Sequence, residues 1–137
     1  MGNYASQTNL ERRYGAGNIA AWSNLDNDDA EANNDAVTDA IAEAEQIIDD
    51  RLRNGPYAIP LVATSGNTLY QARRWTVTLA AHILYGSRGF TEGDKIAGRM
   101  ESAVENVHAE IDAILAGQRT LPASRTSADT PQSPANV

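Results

Sequence analysis

The spacing that most suggests chemistry is that of Glu105 and His108, in the run Glu105-Asn106-Val107-His108. Carboxylate di-iron bundles use this Glu-x-x-His spacing to place two metal ligands on one helix face, but they need it twice, with a glutamate from each of two further helices. Here it occurs once. On a helix Glu101, Glu105, His108 and Asp112 share a face turned away from the apolar residues. We interpret this face as solvated rather than metal-binding.

A second candidate is the acidic segment of residues 23–35, SNLDNDDAEANND. Asp26, with Asp28 and Asp29, invites comparison with a calcium-binding loop. Such a loop starting at Asp26 needs glycine at its sixth position and glutamate at its twelfth, whereas this chain has Glu31 and Val37 there. The segment is better explained as a solvated loop with helix-capping residues.

Motifs for nucleophilic or phosphate chemistry are missing from the sequence. It contains no Gly-x-Ser-x-Gly, phosphate-binding loop or dinucleotide fingerprint, and it has no cysteine and two histidines. The neighbouring carboxylates Asp49 and Asp50 diverge on a helix, which is poor geometry for shared acid–base work. His82 lies in a strongly apolar helix and is interpreted as a core histidine. We therefore expect no catalytic residue, cofactor or metal, and no enzymatic activity.

Length and charge restrict the class of protein further. The 137 residues are enough for one domain, and the net charge of −7 is uneven: residues 26–54 carry ten acidic residues and two arginines. An acidic body argues against a protein that grips nucleic-acid phosphates. No apolar run approaches the roughly 20 residues that a bilayer requires. We expect a soluble protein, made in a cytoplasm, with no membrane partner.

The helix that positions the most distinctive loop spans about residues 35–52. Its apolar positions follow the i, i+3, i+4 spacing of one buried face, and Asn34 or Asp35 is the predicted N-cap. Gly55 and Pro56 end it. The following run, Tyr57-Ala58-Ile59-Pro60-Leu61, is extended, apolar and stiffened by proline. We predict that it contacts another protein.

Four further helical stretches complete the expected domain. Thr8 and Glu11 fit a capping box that opens a short helix over about residues 9–14, with one more turn at residues 19–22. Residues 69–85 are apolar nearly all round, which predicts a central helix. A helix from residue 91 or 92 to 115 carries a stripe that starts at Ile96. The predicted fold is all-α: a small bundle of three to four main helices with an extended apolar loop and a low-complexity C-terminal tail.

The composition changes at Gly117, where a Ser/Thr/Pro-rich segment with few large apolar residues begins. We predict a helical domain over residues 1–116 and an extended tail over residues 117–137 that orders only in assembly. The apolar loop and the tail together supply the candidate protein-interface residues, which are Tyr57, Ile59, Pro60, Leu61, Arg119, Leu121, Pro122 and Arg125.

An ordered series of short motifs carries a family resemblance over about residues 4–116. The series is Tyr4, Leu10 and Arg13-Tyr14; the Asp-rich loop from Asp26 to Asp29; Ile48-Asp49-Asp50-Arg51-Leu52; Tyr57, Pro60 and Leu61; and Arg74, Ala80 and Leu84-Tyr85-Gly86. In this order they resemble the head–tail connector (adaptor, or neck) proteins of tailed bacteriophages, specifically the family found in Mu-like phages and prophages. The Asp-rich loop departs from the Asp-Gly form common in that family.

The resemblance implies a structural role in the virion neck, between head and tail, after assembly in the host cytoplasm. Connectors of this kind form a homo-oligomeric ring, usually a dodecamer, beneath the portal protein. The ring extends the DNA channel and presents a surface to stopper or tail proteins, and genomic DNA passes through without sequence-specific binding. The alternatives are another neck or head-completion protein, such as a stopper, or a helical adaptor module with no virion role.

Overall fold

The structure, a computed structural model, describes residues 4–24, 31–87 and 95–126. Within these ranges the chain is helical and contains no strand, so the predicted all-α fold is confirmed. No described helix is long and apolar enough to span a membrane. The helices are α1 (Gln7–Tyr14), α2 (Ala16–Ser23), α3 (Asn34–Leu52), α4 (Tyr70–Ser87) and α5 (Lys95–Leu115).

The N-terminal helices differ from the prediction in their caps and lengths. Ser6 caps α1, and its side chain and that of Asn9 form a reciprocal capping box, so the predicted box of Thr8 and Glu11 is wrong. Both pairs have the required spacing, but Ser6 lies two residues earlier, and the helix accordingly starts before Thr8. The single turn predicted at residues 19–22 is the second half of α2. Gly15, with a φ of +95°, separates the two helices.

Helix α3 buries the face that its periodicity predicts. Its buried apolar residues are Val37, Ala40, Ile41, Ala44, Ile48 and Leu52. The N-cap is Asn33, whose side chain accepts a hydrogen bond from the backbone N–H of Ala36 at 3.1 Å. This lies one residue before Asn34, the nearer of the two predicted caps. Both predicted residues instead lie in the first turn, which sequence spacing alone does not distinguish from the cap.

Helix α4 is the central element, as its nearly continuous apolar character predicts. It packs against all four other helices, and most extensively against α3 and α5. Trp75 is fully buried in it, together with Ala72, Thr76 and Ala80. His82 is half-buried rather than fully buried. A helix surrounded in this way fixes the relative positions of the other four.

Helix α5 packs against α4 and also contacts α3. Met100, Val107, Ile111 and Ile114 of its predicted stripe are buried, whereas Ile96 is 46% exposed and its assignment to the buried stripe is wrong. Ile96 lies in the first turn of α5. The predicted start at residue 91 or 92 lies outside the described residues.

The chain after α5 turns back onto the domain. Gly117, with a φ of +79°, allows the turn, and the backbone N–H of Gln118 donates to the carbonyl of Ala113 at 2.9 Å. Residues 118–126 then lie along the loop between α3 and α4, and Leu121 and Ala123 are buried there. Residues 127–137 lie outside the described residues. Whether the tail orders only in assembly stays a prediction.

Candidate protein-interaction site

The structure brings together the two segments that supply the predicted interface residues. We call residues 56–64 and residues 118–126 together the platform. Isolated antiparallel bridges pair Tyr57 with Arg125 and Ala63 with Ala123. Four backbone hydrogen bonds of 2.8–2.9 Å join the segments: Ala58 N–H to Ser124, Ser124 N–H to Val62, Thr64 N–H to Pro122 and Thr126 N–H to Pro56.

Tyr57 lies at the centre of the platform. Its side chain is buried, and its hydroxyl accepts a hydrogen bond from the backbone N–H of Leu121 at 2.7 Å. The guanidinium of Arg125 lies 5.3 Å from the centre of the Tyr57 ring, within the range of a cation–π contact. One tyrosine therefore holds the C-terminal segment from two sides.

Tyr4 connects the platform to α3. Its hydroxyl accepts a hydrogen bond from the backbone N–H of Leu61 at 2.8 Å and donates one to Asp49. Its own backbone N–H donates to Glu45 at 2.7 Å. Burial raises the pKa of the Tyr4 phenol, and the hydrogen bond to Asp49 raises it further. The tyrosine therefore keeps its proton and stays a donor to Asp49.

Asp49 is ionisable and partly enclosed beneath the platform. Burial is the largest influence on its pKa and raises it, outweighing the hydrogen bond from Tyr4, which lowers it. The nearby carboxylate of Glu45 also raises the pKa of Asp49. Tyr4, Glu45 and Asp49 thus form a polar latch that ties the N-terminal segment and the apolar loop to one helix.

The predicted interface residues divide by exposure. Tyr57, Leu61 and Leu121 are buried within their own chain, and Ile59 is half-buried. The members exposed to solvent are Pro60, Arg119, Pro122 and Arg125. That these residues contact another protein stays a prediction, and it now applies to the exposed members, because the buried ones already have partners in the chain.

Sequence reasoning missed Val62, which is 58% exposed. It follows the buried Leu61 directly. In an extended segment neighbouring side chains point to opposite sides, so burial of Leu61 directs Val62 outward. Continuing the apolar run by one residue would have found it.

The helix face that carries Glu105 and His108 is only partly solvated, because Arg51 of α3 contacts it. This contact was not predicted from the sequence. Glu105 and Asp112 are exposed, in agreement with the prediction, but His108 is half-buried. The guanidinium of Arg51, from the last turn of α3, contacts Nδ1 of His108 and forms an ion pair with Asp112. These contacts join the ends of α3 and α5 next to the platform.

Glu110 makes the corresponding connection between α4 and α5. Its Oε1 accepts hydrogen bonds from Trp75 at 2.8 Å, from Arg74 at 2.7 Å and from Gln71 at 3.4 Å. Burial alone would raise the pKa of Glu110, but these hydrogen bonds outweigh burial and hold the pKa below its ordinary value. Glu110 therefore stays ionised in the folded chain.

The described residues also bear on metal binding. Among residues 4–24, 31–87 and 95–126, no three or more His, Cys, Asp or Glu side chains are grouped so that they could hold a metal ion. Asp26, Asp28 and Asp29 of the acidic loop lie outside these ranges. The platform is thus the site on which both predicted interface segments converge.

Comparison with known proteins relates the chain to a phage protein family. A family model described as "Bacteriophage Mu, Gp36" matches residues 4–105, which is most of the chain. The matched region includes the first segment of the platform and ends before the second. A search among individually curated proteins found no match.

Proposed function

The chain belongs to the bacteriophage Mu Gp36 family, and from this premise we propose that it is a head–tail connector of the phage neck. Family membership makes it a Mu-like phage protein and indicates a role in phage structure or morphogenesis. In the finer role proposed here, copies of the chain form a ring that joins the capsid portal to the tail and extends the DNA channel.

The observation that carries this proposal is the platform. Two segments about sixty residues apart in sequence are held together by backbone hydrogen bonds, so a partner meets a preformed surface. Val62, Pro60 and Pro122 expose apolar groups on the two segments, and the exposed Arg125 lies over the ring of Tyr57. Apolar residues with an arginine are typical of protein interfaces, and a preformed surface reduces the entropy lost on binding.

The partners proposed for this role are the portal protein on one side and stopper or tail proteins on the other. Neighbouring copies complete the ring, with a dodecamer as the expected number. Genomic DNA passes through without sequence-specific binding, which suits a net charge of −7. This role needs no catalysis, and we propose that the chain is not an enzyme.

The test measures binding of the chain to the portal encoded by the same phage. Native mass spectrometry or mass photometry counts the bound copies. The wild-type chain should join the portal in many copies. Val62→Asp places a charge on the platform at an exposed position and should strongly reduce this binding without altering the helical content. Ser102→Asp adds the same charge on an exposed part of α5 and serves as the matched control.

Two outcomes contradict the proposal. A wild-type chain that ignores the portal but binds a tail-side protein indicates a stopper or another head-completion protein. A chain that binds neither indicates a helical adaptor with no virion role. Equal portal assembly by Val62→Asp and wild type would show that the platform is not a contact surface in the assembled neck.

A further inference from the structure

The two ends of α3 differ in charge. Residues 51–74 contain four arginines and no acidic residue, and residues 113–126 contain two arginines and no acidic residue. These stretches include the whole platform. Six of the eleven basic residues lie in these two stretches, and three of the six pair with carboxylates just outside them.

Two platform arginines have no carboxylate partner among the residues that the structure describes. Arg119 and Arg125 are exposed, and neither forms an ion pair with any residue that the structure describes. Arg51, Arg53 and Arg74, by contrast, each pair with a carboxylate of the same chain. The unpaired guanidiniums lie on the same segment as the exposed Pro122, so the surface combines positive charge with apolar groups.

The opposite half of α3 carries negative charge that no described basic residue pairs with. Asp35, Asp39 and Glu43 recur every four residues on its exposed side, and we call them the acidic ridge. None of the three forms an ion pair with a described residue. Three like charges along one helix face repel one another by a few tenths of a kcal/mol per pair, an unfavourable arrangement unless a cation approaches.

The acidic ridge and the platform of one chain are too far apart to contact each other. Asp35 lies at the start of α3 and the platform begins just after its end, a separation of roughly 25 Å along a rigid helix. Two platforms facing each other would place like charges together, and so would two ridges. Head-to-tail contact pairs opposite charges at every joint, and repeated contacts of this type close into rings or continue as filaments.

We infer that the acidic ridge of one copy docks on the platform of the next copy. Carboxylates of the ridge meet Arg119 and Arg125, and the neighbouring apolar residues of the platform lose contact with water. This inference rests on the proposed function, because it names the two surfaces that join neighbours in the ring. A second copy of the chain is the occupant because it supplies the complementary charge.

Charge reversal and mixing test the inference. One variant reverses the platform (Arg119→Glu with Arg125→Glu), and another reverses the ridge (Asp39→Arg with Glu43→Arg). Each variant alone should weaken association by roughly tenfold or more, because like charges now face each other. An equal mixture of the two should recover association, since each reversed surface then meets a reversed partner.

The matched control is Arg12→Glu with Arg13→Glu on α1. Both residues are exposed and form no ion pair with a described residue, so this control changes the net charge by the same amount as the platform variant. It should associate as the wild type does. Sedimentation velocity and native mass spectrometry measure association, alone and on the portal. About 0.5 M salt should weaken wild-type association by screening.

Several results would overturn the inference. One is unchanged association of both reversed variants; another is failure of the mixture to recover. A third is loss of binding to a short DNA duplex by the platform variant with unchanged self-association, which would make nucleic acid the occupant. If the wild type joins the portal and charge reversal has no effect, the inference fails and the connector role survives. If the chain self-associates in a charge-dependent way but does not bind the portal, the inference survives and the connector role fails.

Discussion

The bundle around α4 and the platform are stabilised in different ways. The bundle buries large side chains from long helices, with Trp75 fully enclosed. The platform buries Tyr57, Leu61, Leu121 and Ala123, and it relies on four backbone hydrogen bonds and the hydroxyl of Tyr57. Regions with few buried apolar contacts open locally at a lower free-energy cost than the core. The comparison implies that the platform can open locally while the bundle remains folded.

The largest effect should come from the bundle. Trp75→Ala removes a fully buried indole and its hydrogen bond to Glu110, and it leaves a cavity between α4 and its neighbours. We expect the free energy of unfolding to fall by about 3–5 kcal/mol. Urea unfolding followed by far-UV circular dichroism measures this.

Tyr70→Ala is the matched control for that variant. Tyr70 is 68% exposed, and its described aromatic contact is with Arg73, so the loss should stay below about 1 kcal/mol. If the two variants were equally destabilised, burial of Trp75 would not be the dominant contribution.

A smaller and more local effect is expected on the platform. Tyr57→Phe keeps the ring but leaves the backbone N–H of Leu121 without its acceptor, a cost of about 1–3 kcal/mol. The C-terminal segment should release before the helices unfold. Hydrogen exchange should therefore become faster in residues 118–126 than in α4.

Tyr14→Phe is the control for this change. Tyr14 makes an edge contact with Trp22, and its hydroxyl has no hydrogen bond to a described residue. Its exchange pattern should match that of the wild type. Equal acceleration in α4 and in the C-terminal segment after Tyr57→Phe would mean that the platform and the bundle unfold as one unit.

The same difference explains what the sequence predicts well and what it does not. Periodicity predicted α3 and α5, because burial of a repeating face leaves a repeating pattern, and the nearly continuous apolar character of α4 predicted its central position. The pairing of residues 56–64 with residues 118–126 leaves no such pattern, since it depends on backbone groups that every residue carries. The contacts of Tyr4 with Asp49 and Leu61 also join residues that are far apart in sequence. Candidate interface residues were identified by composition, but their division into buried and exposed members required the structure.

The stability of the bundle and of the platform should also depend differently on pH, through Glu110 and Asp49. The effect of Glu110, in the bundle, should be the greater. Its pKa is lower in the folded chain, so ionised Glu110 stabilises the fold above its ordinary pKa of 4.5. This stabilisation is lost as the pH falls through the folded pKa. Relative to Glu110→Gln, the wild type should be more stable at neutral pH, and the difference should shrink in acid.

Urea midpoints of both chains between about pH 3 and pH 7 measure this difference. Glu101→Gln, at an exposed position of the same helix, is the matched control. A stability difference that increased as the pH fell would show that the hydrogen bonds from Trp75, Arg74 and Gln71 do not outweigh the burial of Glu110.

Asp49, beneath the platform, should show the opposite and smallest dependence. Its pKa is raised in the folded chain, so its contribution is complete below the ordinary value of 3.8 and is lost as the pH rises through the folded pKa. Asp49→Asn removes this loss, and an amide oxygen still accepts the hydrogen bond from Tyr4. The variant should equal or exceed the wild type in stability at neutral pH, and its advantage should disappear in acid.

The pH dependences of stability expected at Glu110 and Asp49 have opposite signs, so one pH series distinguishes the bundle from the platform. Acid weakens the α4–α5 connection through Glu110 and favours the latch through Asp49, so variants at the two positions should diverge from the wild type in opposite directions. Hydrogen exchange at Leu61, whose N–H bonds to Tyr4, reports the latch directly. If Asp49→Asn accelerated exchange at Leu61 at every pH, the carboxylate would be needed to orient Tyr4, and its charge would stabilise the latch despite burial.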